Sequence, residues 1–165
     1  LGIIRCNPWK KNNFILIGDS CHATVPFYGQ GMNAGFEDCN LINDLFKNSS
    51  NSTLFENSID DFLNNRKINT DAMQDLSMHN FLVMRDKTGN EKFLLQKKIE
   101  AFFAAKHPDK WVPLYSMVTF SQIGYNNALE IGKKQEKIMQ EIMKLDNIES
   151  IWDSNEVEQE ILSFL

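Results

Sequence analysis

The residues with the clearest chemical potential lie in one short stretch near the start of the chain. Four apolar residues at positions 14–17 precede the pair Gly18-Asp19, and Gly29-Gln30-Gly31 opens a helical pattern. A short apolar run bounded by Asn and Gly favours a buried parallel strand. Such a strand would present the Asp19 carboxylate at its C-terminal end, beside the unpaired amides of the next helix. The order of these features predicts a cofactor-binding crevice.

Asp19 is the sharpest candidate in this stretch. A carboxylate at the end of a buried strand costs several kcal/mol unless a hydrogen-bond donor meets it. A ligand hydroxyl could be that donor. The alternative is an N-cap or turn aspartate, which is the usual role of an Asp that follows a Gly.

The stretch also matches a known motif. Residues 18–26, Gly-Asp-Ser-Cys-His-Ala-Thr-Val-Pro, fit the pattern Gly-Asp-x-x-His-x-x-x-Pro. They closely resemble the second FAD-binding motif of the flavin-dependent aromatic hydroxylases. The continuation at residues 26–39, Pro-Phe-Tyr-Gly-Gln-Gly-Met-Asn-Ala-Gly-Phe-Glu-Asp-Cys, is similar to the kynurenine-hydroxylating branch of that family. The resemblance implies FAD as cofactor, NADPH and O2 as co-substrates, and a small aromatic amino acid as substrate.

The resemblance also implies which residues bind the cofactor. Asp19 would accept a hydrogen bond from a ribityl hydroxyl of FAD, and Pro26 would lie near the flavin ring. Met32 and Asn33 would contact the flavin. The amides of Gly31, Met32 and Asn33 would lie at a helix start, where partial positive charge favours a reduced, anionic flavin.

Three residues are expected to bind the substrate. The text Asn80-Phe81-Leu82-Val83-Met84-Arg85 resembles the family stretch Asn-x-x-Glu-Met-Arg, whose Asn contacts the substrate. Residues 113–121 resemble Pro-Leu-Tyr-x-Met-Val-Thr-Phe-Ser, whose Tyr binds the substrate carboxylate, and this nominates Tyr115. Phe27 follows Pro26 and could pack on an aromatic substrate. For all three residues the alternative is a place in the protein core. At position 83 this chain has Val where the family stretch has Glu. This difference affects which aromatic substrate is expected.

No side chain is nominated as a catalytic acid, base or nucleophile, because a flavin carries this chemistry itself. His22 has no second ligand at metal spacing and is predicted to be a hydrogen-bonded structural residue, so no metal site is expected. Glu37 and Asp38 are adjacent, point to different helix faces and are interpreted as ordinary polar groups of a helix.

Composition limits the other possibilities. The chain has 165 residues, 42% of them apolar, and a net charge of −5, which argues against a nucleic-acid partner. Cys6, Cys21 and Cys39 form no CxxC pair and are predicted to be reduced thiols. No apolar run approaches the length of a membrane span, and no signal peptide opens the chain. A cytoplasmic protein is expected.

The periodicity of apolar residues gives the expected fold. Residues 32–46, 59–84, 91–106 and 125–145 are predicted to form helices, with a Ser/Asn-rich loop at 47–53. Residues 111–120 suit an extended segment or a tight corner, and 146–165 suit one short helix. The predicted class is an α/β fragment, in which residues 1–47 end a Rossmann-like FAD-binding domain. Residues 54–165 would form a mostly helical region on the substrate side.

The sequence contains no Gly-x-Gly-x-x-Gly fingerprint for the ADP part of FAD, and residue 1 is Leu. A C-terminal piece of a flavin monooxygenase, inactive alone, is therefore expected. Two alternatives remain at this point. One is another FAD-dependent aromatic or isoprenoid hydroxylase, favoured by Val83. The other is a non-catalytic helical interaction module.

Overall fold

A computed structural model describes residues 2–49 and 52–165, without the side chains of residues 52–54 and 57. The described part contains two short strands followed by eight helices. In chain order these are β1 (Lys10–Lys11), β2 (Phe14–Ile15), α1 (Asp19–His22), α2 (Gly31–Asn48), α3 (Ser52–Asp86), α4 (Glu91–Lys106), α5 (Leu114–Phe120), α6 (Tyr125–Ile142), α7 (Ile148–Ile151) and α8 (Asn155–Ser163). The mostly helical character expected from the sequence is confirmed.

The chain divides into two compact units. The first comprises Leu1–Phe81 with Gly124–Asn126, and the second comprises Leu82–Ile123 with Asn127–Leu165. This division falls later in the chain than the domain boundary proposed between residues 47 and 54. That functional boundary remains a prediction.

The predicted buried parallel strand at residues 14–17 is wrong in this structure. β2 pairs antiparallel with β1, Lys10 opposite Ile15, in a small two-stranded sheet. A two-residue Asn turn joins the strands, and Asn12 adopts the positive φ of 52° that such turns require. Phe14 is 79% exposed, and Leu16 and Ile17 are partly exposed as well. A four-residue apolar run specifies neither its pairing partner nor its direction, and here the partner is the adjacent lysine pair.

The first unit is organised around α3. A cluster of buried apolar side chains joins the β-hairpin segment and α1 to the first half of this helix: Trp9, Cys21, Ile59 and Leu63. The helix predicted at 59–84 is confirmed and is longer than expected, at 35 residues. The predicted loop at 47–53 is shorter than expected, because α2 continues to Asn48 and α3 begins at Ser52. Residues 50 and 51 of that loop lie outside the described residues.

The second unit has its own apolar core. Side chains from α4, α6, α7 and α8 form it together with Trp111: Ile99, Phe103, Ile138, Met139, Ile142, Ile148, Val157 and Ile161. The helix predicted at 91–106 is confirmed, and its start has a physical cause. The Asn90 side chain accepts a hydrogen bond from the Phe93 amide at 3.1 Å, an N-cap that satisfies an orphan donor. The single helix predicted for 146–165 is two, α7 and α8, and Ser154 caps the second.

The extended segment or tight corner predicted for residues 111–120 is also wrong over residues 114–120, which form α5. Pro113 stands at the N-cap of α5, where its missing amide hydrogen costs nothing. Met117 and Val118 are buried along α5. Burial of these side chains outweighs the β-propensity of the valine and threonine in the segment.

Candidate cofactor site

The candidate site begins where the chain turns from the hairpin into α1. Gly18 adopts a φ of 59°, which a residue with a side chain adopts only under strain. A Cβ on Gly35 would lie 3.7 Å from the Gly18 Cα, so α2 passes directly against this turn. Gly29, with a φ of 69°, makes the second sharp turn just before α2 begins at Gly31. Two glycines with positive φ thus form the turns near the two ends of residues 18–31.

Asp19 is the first residue of α1, and its side chain is exposed. The expectation that it lies at the end of a buried strand is therefore wrong in this structure, and the argument from burial cost does not apply. An exposed carboxylate beside the Gly18 turn remains able to accept hydrogen bonds from a ligand. Its role toward FAD stays a prediction.

The N-terminus of α2 is suited to bind negative charge. Gln30 is the N-cap residue, and among the described residues no side chain forms a capping hydrogen bond there. The first turn contains no acidic residue, and Met32 is 71% exposed. The amides of Gly31, Met32 and Asn33 therefore meet the predicted geometry at the start of an 18-residue helix.

The loop at residues 23–30, between α1 and α2, is held in shape by its own backbone. The Phe27 amide donates to the Val25 carbonyl at 3.0 Å, which closes a tight turn centred on Pro26. The fixed φ of Pro26 suits this turn, and Pro26 is exposed. The loop thus presents Pro26 at the surface.

Two of the predicted substrate residues lie together in the first unit. Asn80 Nδ2 donates to the Phe27 carbonyl at 2.6 Å, and the Phe27 ring contacts the Phe81 ring with centroids 4.6 Å apart. The Asn80 side chain therefore uses one of its amide hydrogens to fix Phe27 in the 23–30 loop. The third predicted residue, Tyr115, is in the second unit, where it is 53% exposed and packs edge-on against Phe120. Contact with substrate remains a prediction for all three residues.

The most highly connected group of the site, the carboxylate of Asp38, was not among the site residues predicted from the sequence. Asp38 Oδ2 accepts hydrogen bonds from the Gly18 amide at 2.8 Å and from His22 Nε2 at 2.6 Å. Asp38 Oδ1 accepts from Arg66 Nε at 2.6 Å, and Arg66 also donates to the Ala34 carbonyl at 2.9 Å. Asp38, His22 and Arg66 are all buried. The interpretation of Asp38 as an ordinary polar helix residue is therefore wrong, whereas the structural role of His22 is confirmed.

These bonds decide the ionisation of Asp38. Burial alone would raise the pKa of this carboxyl, but the hydrogen bonds from His22, Gly18 and Arg66 outweigh burial and hold the pKa below its usual range. Glu37 pairs with the same arginine at 2.8 Å, with its own side chain 46% exposed. A charged Asp38 therefore ties α2 to α3 and to the turn that carries Asp19. The sequence did contain a signal that Asp38 is buried. Asp38 lies four residues after Ala34 and four before Ile42, on the apolar side of α2.

Two features are absent from residues 2–49 and 52–165, a metal-binding group and a membrane-spanning helix. This part of the chain contains no group of His, Cys, Asp and Glu side chains that could hold a metal ion. None of its helices combines the length and apolar character that a membrane span needs.

Comparison with known proteins defines the class first. Residues 4–52, which include both glycine turns and the start of α2, match the family described as FAD binding domain. This stretch of the chain is thus similar to the cofactor-binding part of flavoproteins.

The particular relatives are kynurenine 3-monooxygenases. The enzyme of Flavobacterium johnsoniae is 52% identical over 163 residues, and that of Flavobacterium psychrophilum is 50% identical over 165, each match covering 98% of the chain. The enzyme of Caenorhabditis elegans is 38% identical over 141 residues, or 85% of the chain. Nearly the whole chain is therefore similar to part of these kynurenine 3-monooxygenases, which confirms the resemblance of its motifs. It spans 36% of each of the two Flavobacterium relatives and 30% of the nematode one.

Proposed function

We propose that the protein is an FAD-dependent monooxygenase that hydroxylates L-kynurenine to 3-hydroxykynurenine with NADPH and O2. The observation that carries the proposal is the N-terminus of α2 without a side-chain cap, inside the stretch that matches an FAD binding domain. Similarity to kynurenine 3-monooxygenases over 98% of the chain supports the substrate.

The residues present fit FAD. Asp19 supplies an exposed acceptor for a ribityl hydroxyl, and the amides of Gly31, Met32 and Asn33 supply donors with partial positive charge. Pro26 shapes the surface beside them. When bound and reduced by NADPH, FAD supplies the activation of O2 for insertion of one oxygen atom into the aromatic ring. The protein residues bind and orient the cofactor and need no acid or base of their own.

The first unit is proposed to end a Rossmann-like FAD-binding domain. Its β-hairpin and α2 expose apolar side chains that would suit burial against further layers of such a domain: Phe14, Leu16, Ile17, Met32 and Phe36. The domain match to residues 4–52 supports the same assignment. A cytoplasmic location also remains part of the proposal.

Oxygen insertion tests the proposed function directly. The full-length protein, supplied with FAD, NADPH and isotopically labelled O2, should consume NADPH faster when L-kynurenine is present. It should also form 3-hydroxykynurenine that carries one labelled oxygen atom. Stimulation of NADPH consumption without a hydroxylated product would contradict the proposed substrate. Tryptophan serves as a control that shares the amino-acid group but has a different ring.

Replacement of Tyr115 by phenylalanine should raise KM for L-kynurenine about tenfold and leave the FAD content unchanged. The substitution deletes one hydroxyl and keeps the ring that packs on Phe120. A hydrogen bond from this hydroxyl to the substrate carboxylate would contribute about 1.5 kcal/mol, at the low end for charged partners because Tyr115 is exposed. Steady-state kinetics at saturating NADPH measure KM, and an unchanged KM would remove Tyr115 from the substrate site.

Substitution of Val83 by glutamate tests a second candidate function, the hydroxylation of a less polar aromatic compound. The side chain is apolar and half-buried, where the family stretch has Glu. If L-kynurenine is the substrate, V83E should raise kcat/KM for it. If the substrate is less polar, V83E should instead lower turnover of that compound, because an unpaired buried carboxylate is costly. Measuring kcat/KM for L-kynurenine and for its deaminated analogue in both proteins separates the two cases.

A further inference from the structure

The side chain of Gln30 is fixed from three sides. Its Oε1 accepts hydrogen bonds from Asn33 Nδ2 at 3.2 Å and from the Tyr125 hydroxyl at 3.1 Å. Its Nε2 donates to the Tyr28 carbonyl at 3.3 Å. Gln30 is buried, and a buried primary amide is costly unless both of its ends are paired. The side chain therefore links the 23–30 loop to the first turn of α2.

Tyr125 reaches this amide from a position 95 residues away in the sequence. Residues 124–126 belong to the first unit, and a second hydrogen bond fixes them there, from the Asn126 amide to Asn69 Oδ1 on α3 at 3.3 Å. The Tyr125 ring is buried. Burial, together with the negative charge of Glu37, raises the pKa of the Tyr125 hydroxyl against the opposing effect of Arg66, so the hydroxyl remains a donor.

We propose that Tyr125 is a positioning residue for the flavin, acting through Gln30 on Asn33 and on the backbone of the 23–30 loop. This inference rests on the proposed function, since it assigns Tyr125 to the same FAD site. No sequence motif marked Tyr125, and its role follows from the hydrogen bonds at Gln30 alone.

Loss of the Tyr125 hydroxyl should loosen the start of α2. Without the Tyr125 hydroxyl, Gln30 Oε1 keeps one donor, Asn33 Nδ2, and loses its only described contact with residues 124–126. The amide then has one bond fewer to fix its rotamer, and rotation away from the observed rotamer breaks the bonds to Asn33 and to the Tyr28 carbonyl. Asn33 and the amides at the start of α2 become less ordered before the cofactor arrives. Binding of FAD must then restore that order, which lowers its affinity.

The test compares Y125F with the parent in the full-length protein. Y125F should raise the Kd for FAD about fivefold, the size expected for one neutral hydrogen bond. In the apoprotein it should also speed amide hydrogen exchange at residues 28–33 and leave exchange in α4 unchanged. T88V is the control, because it deletes an exposed side-chain hydroxyl in the second unit and should leave both measurements unchanged.

A second variant removes the contact from the other side. Q30M deletes all three side-chain bonds and keeps a similar volume, so it should weaken FAD binding more than Y125F does. Adding Y125F to Q30M should then have no further effect, because the two residues act through one bond. Independent, additive losses would overturn the proposal, and so would an unchanged Kd in Y125F. If the parent binds no FAD, the proposed function fails, and the exchange comparison alone then decides whether Tyr125 orders the loop.

Discussion

Replacing Asp38 by asparagine is expected to lower the free energy of unfolding by about 3–5 kcal/mol, the range measured when one partner of a buried ion pair is removed. The neutral amide has the same shape, but it leaves the buried Arg66 with Glu37 as its only anionic partner among the described residues. The side-chain NH2 group of asparagine is a donor. In the position of Asp38 Oδ2 it would face the Gly18 amide and His22 Nε2, which both donate there in the parent. Chemical denaturation at neutral pH, followed by circular dichroism, measures the change.

Glu37 provides the matched control for this experiment. It pairs with the same arginine, but its side chain is 46% exposed, so E37Q should cost less than about 1 kcal/mol. Equal losses in D38N and E37Q would show that the buried position of Asp38 carries no special weight. The Asp38–Arg66 contact would then not be the main tie between α2 and α3.

The same carboxylate predicts a dependence of stability on pH. The pKa of Asp38 is lower in the folded protein than the value of about 3.9 typical of an unfolded chain. The stability that it contributes is therefore fully present above about pH 4 and is lost as the pH falls through the lower, folded pKa. D38N lacks this contribution at every pH, so the difference from the parent should shrink in acid. A difference that stays constant down to about pH 2 would contradict the assignment.

Replacing Asp19 by alanine is expected to weaken FAD binding by about 1.5–3 kcal/mol, the contribution of a hydrogen bond to a charged group. This corresponds to an increase in Kd of roughly 10- to 150-fold. Asp19 is exposed at the start of α1, so its loss should leave the fold intact. Titration of the apoprotein with FAD, followed by quenching of flavin fluorescence, gives Kd. D44A, which removes an exposed carboxylate from α2, should bind FAD like the parent.

Local signals in the sequence predicted α2, α3, α4 and α6, but not α5 or the division of residues 146–165 into α7 and α8. The bounds of α4 follow from the Asn90 cap at one end and from Pro108 just past the other. The start of α2 at Gly31 follows from the glycine pair, which also located the candidate cofactor site. These features depend on residues within one helical turn of each other, which is why they can be seen without a structure.

Features that depend on distant residues were missed or wrong. The pairing of residues 14–15 depends on the lysine pair and the Asn12 turn, and a short apolar run contains no information on either. Asp38 has its partners at Gly18, His22 and Arg66, up to 28 residues away. Tyr125 meets Gln30 across 95 residues. The motif thus nominated candidate cofactor residues, but it did not indicate the buried side chains that hold their segments in place.

The visible absorbance spectrum of the purified full-length protein tests directly whether it is a flavoprotein. We expect bound flavin, with FAD released on denaturation in an amount close to one per chain. D19A purified in parallel should lose most of that flavin while remaining folded. A colourless protein that gains no bound flavin when FAD is added in excess would show that the chain does not belong to an FAD enzyme.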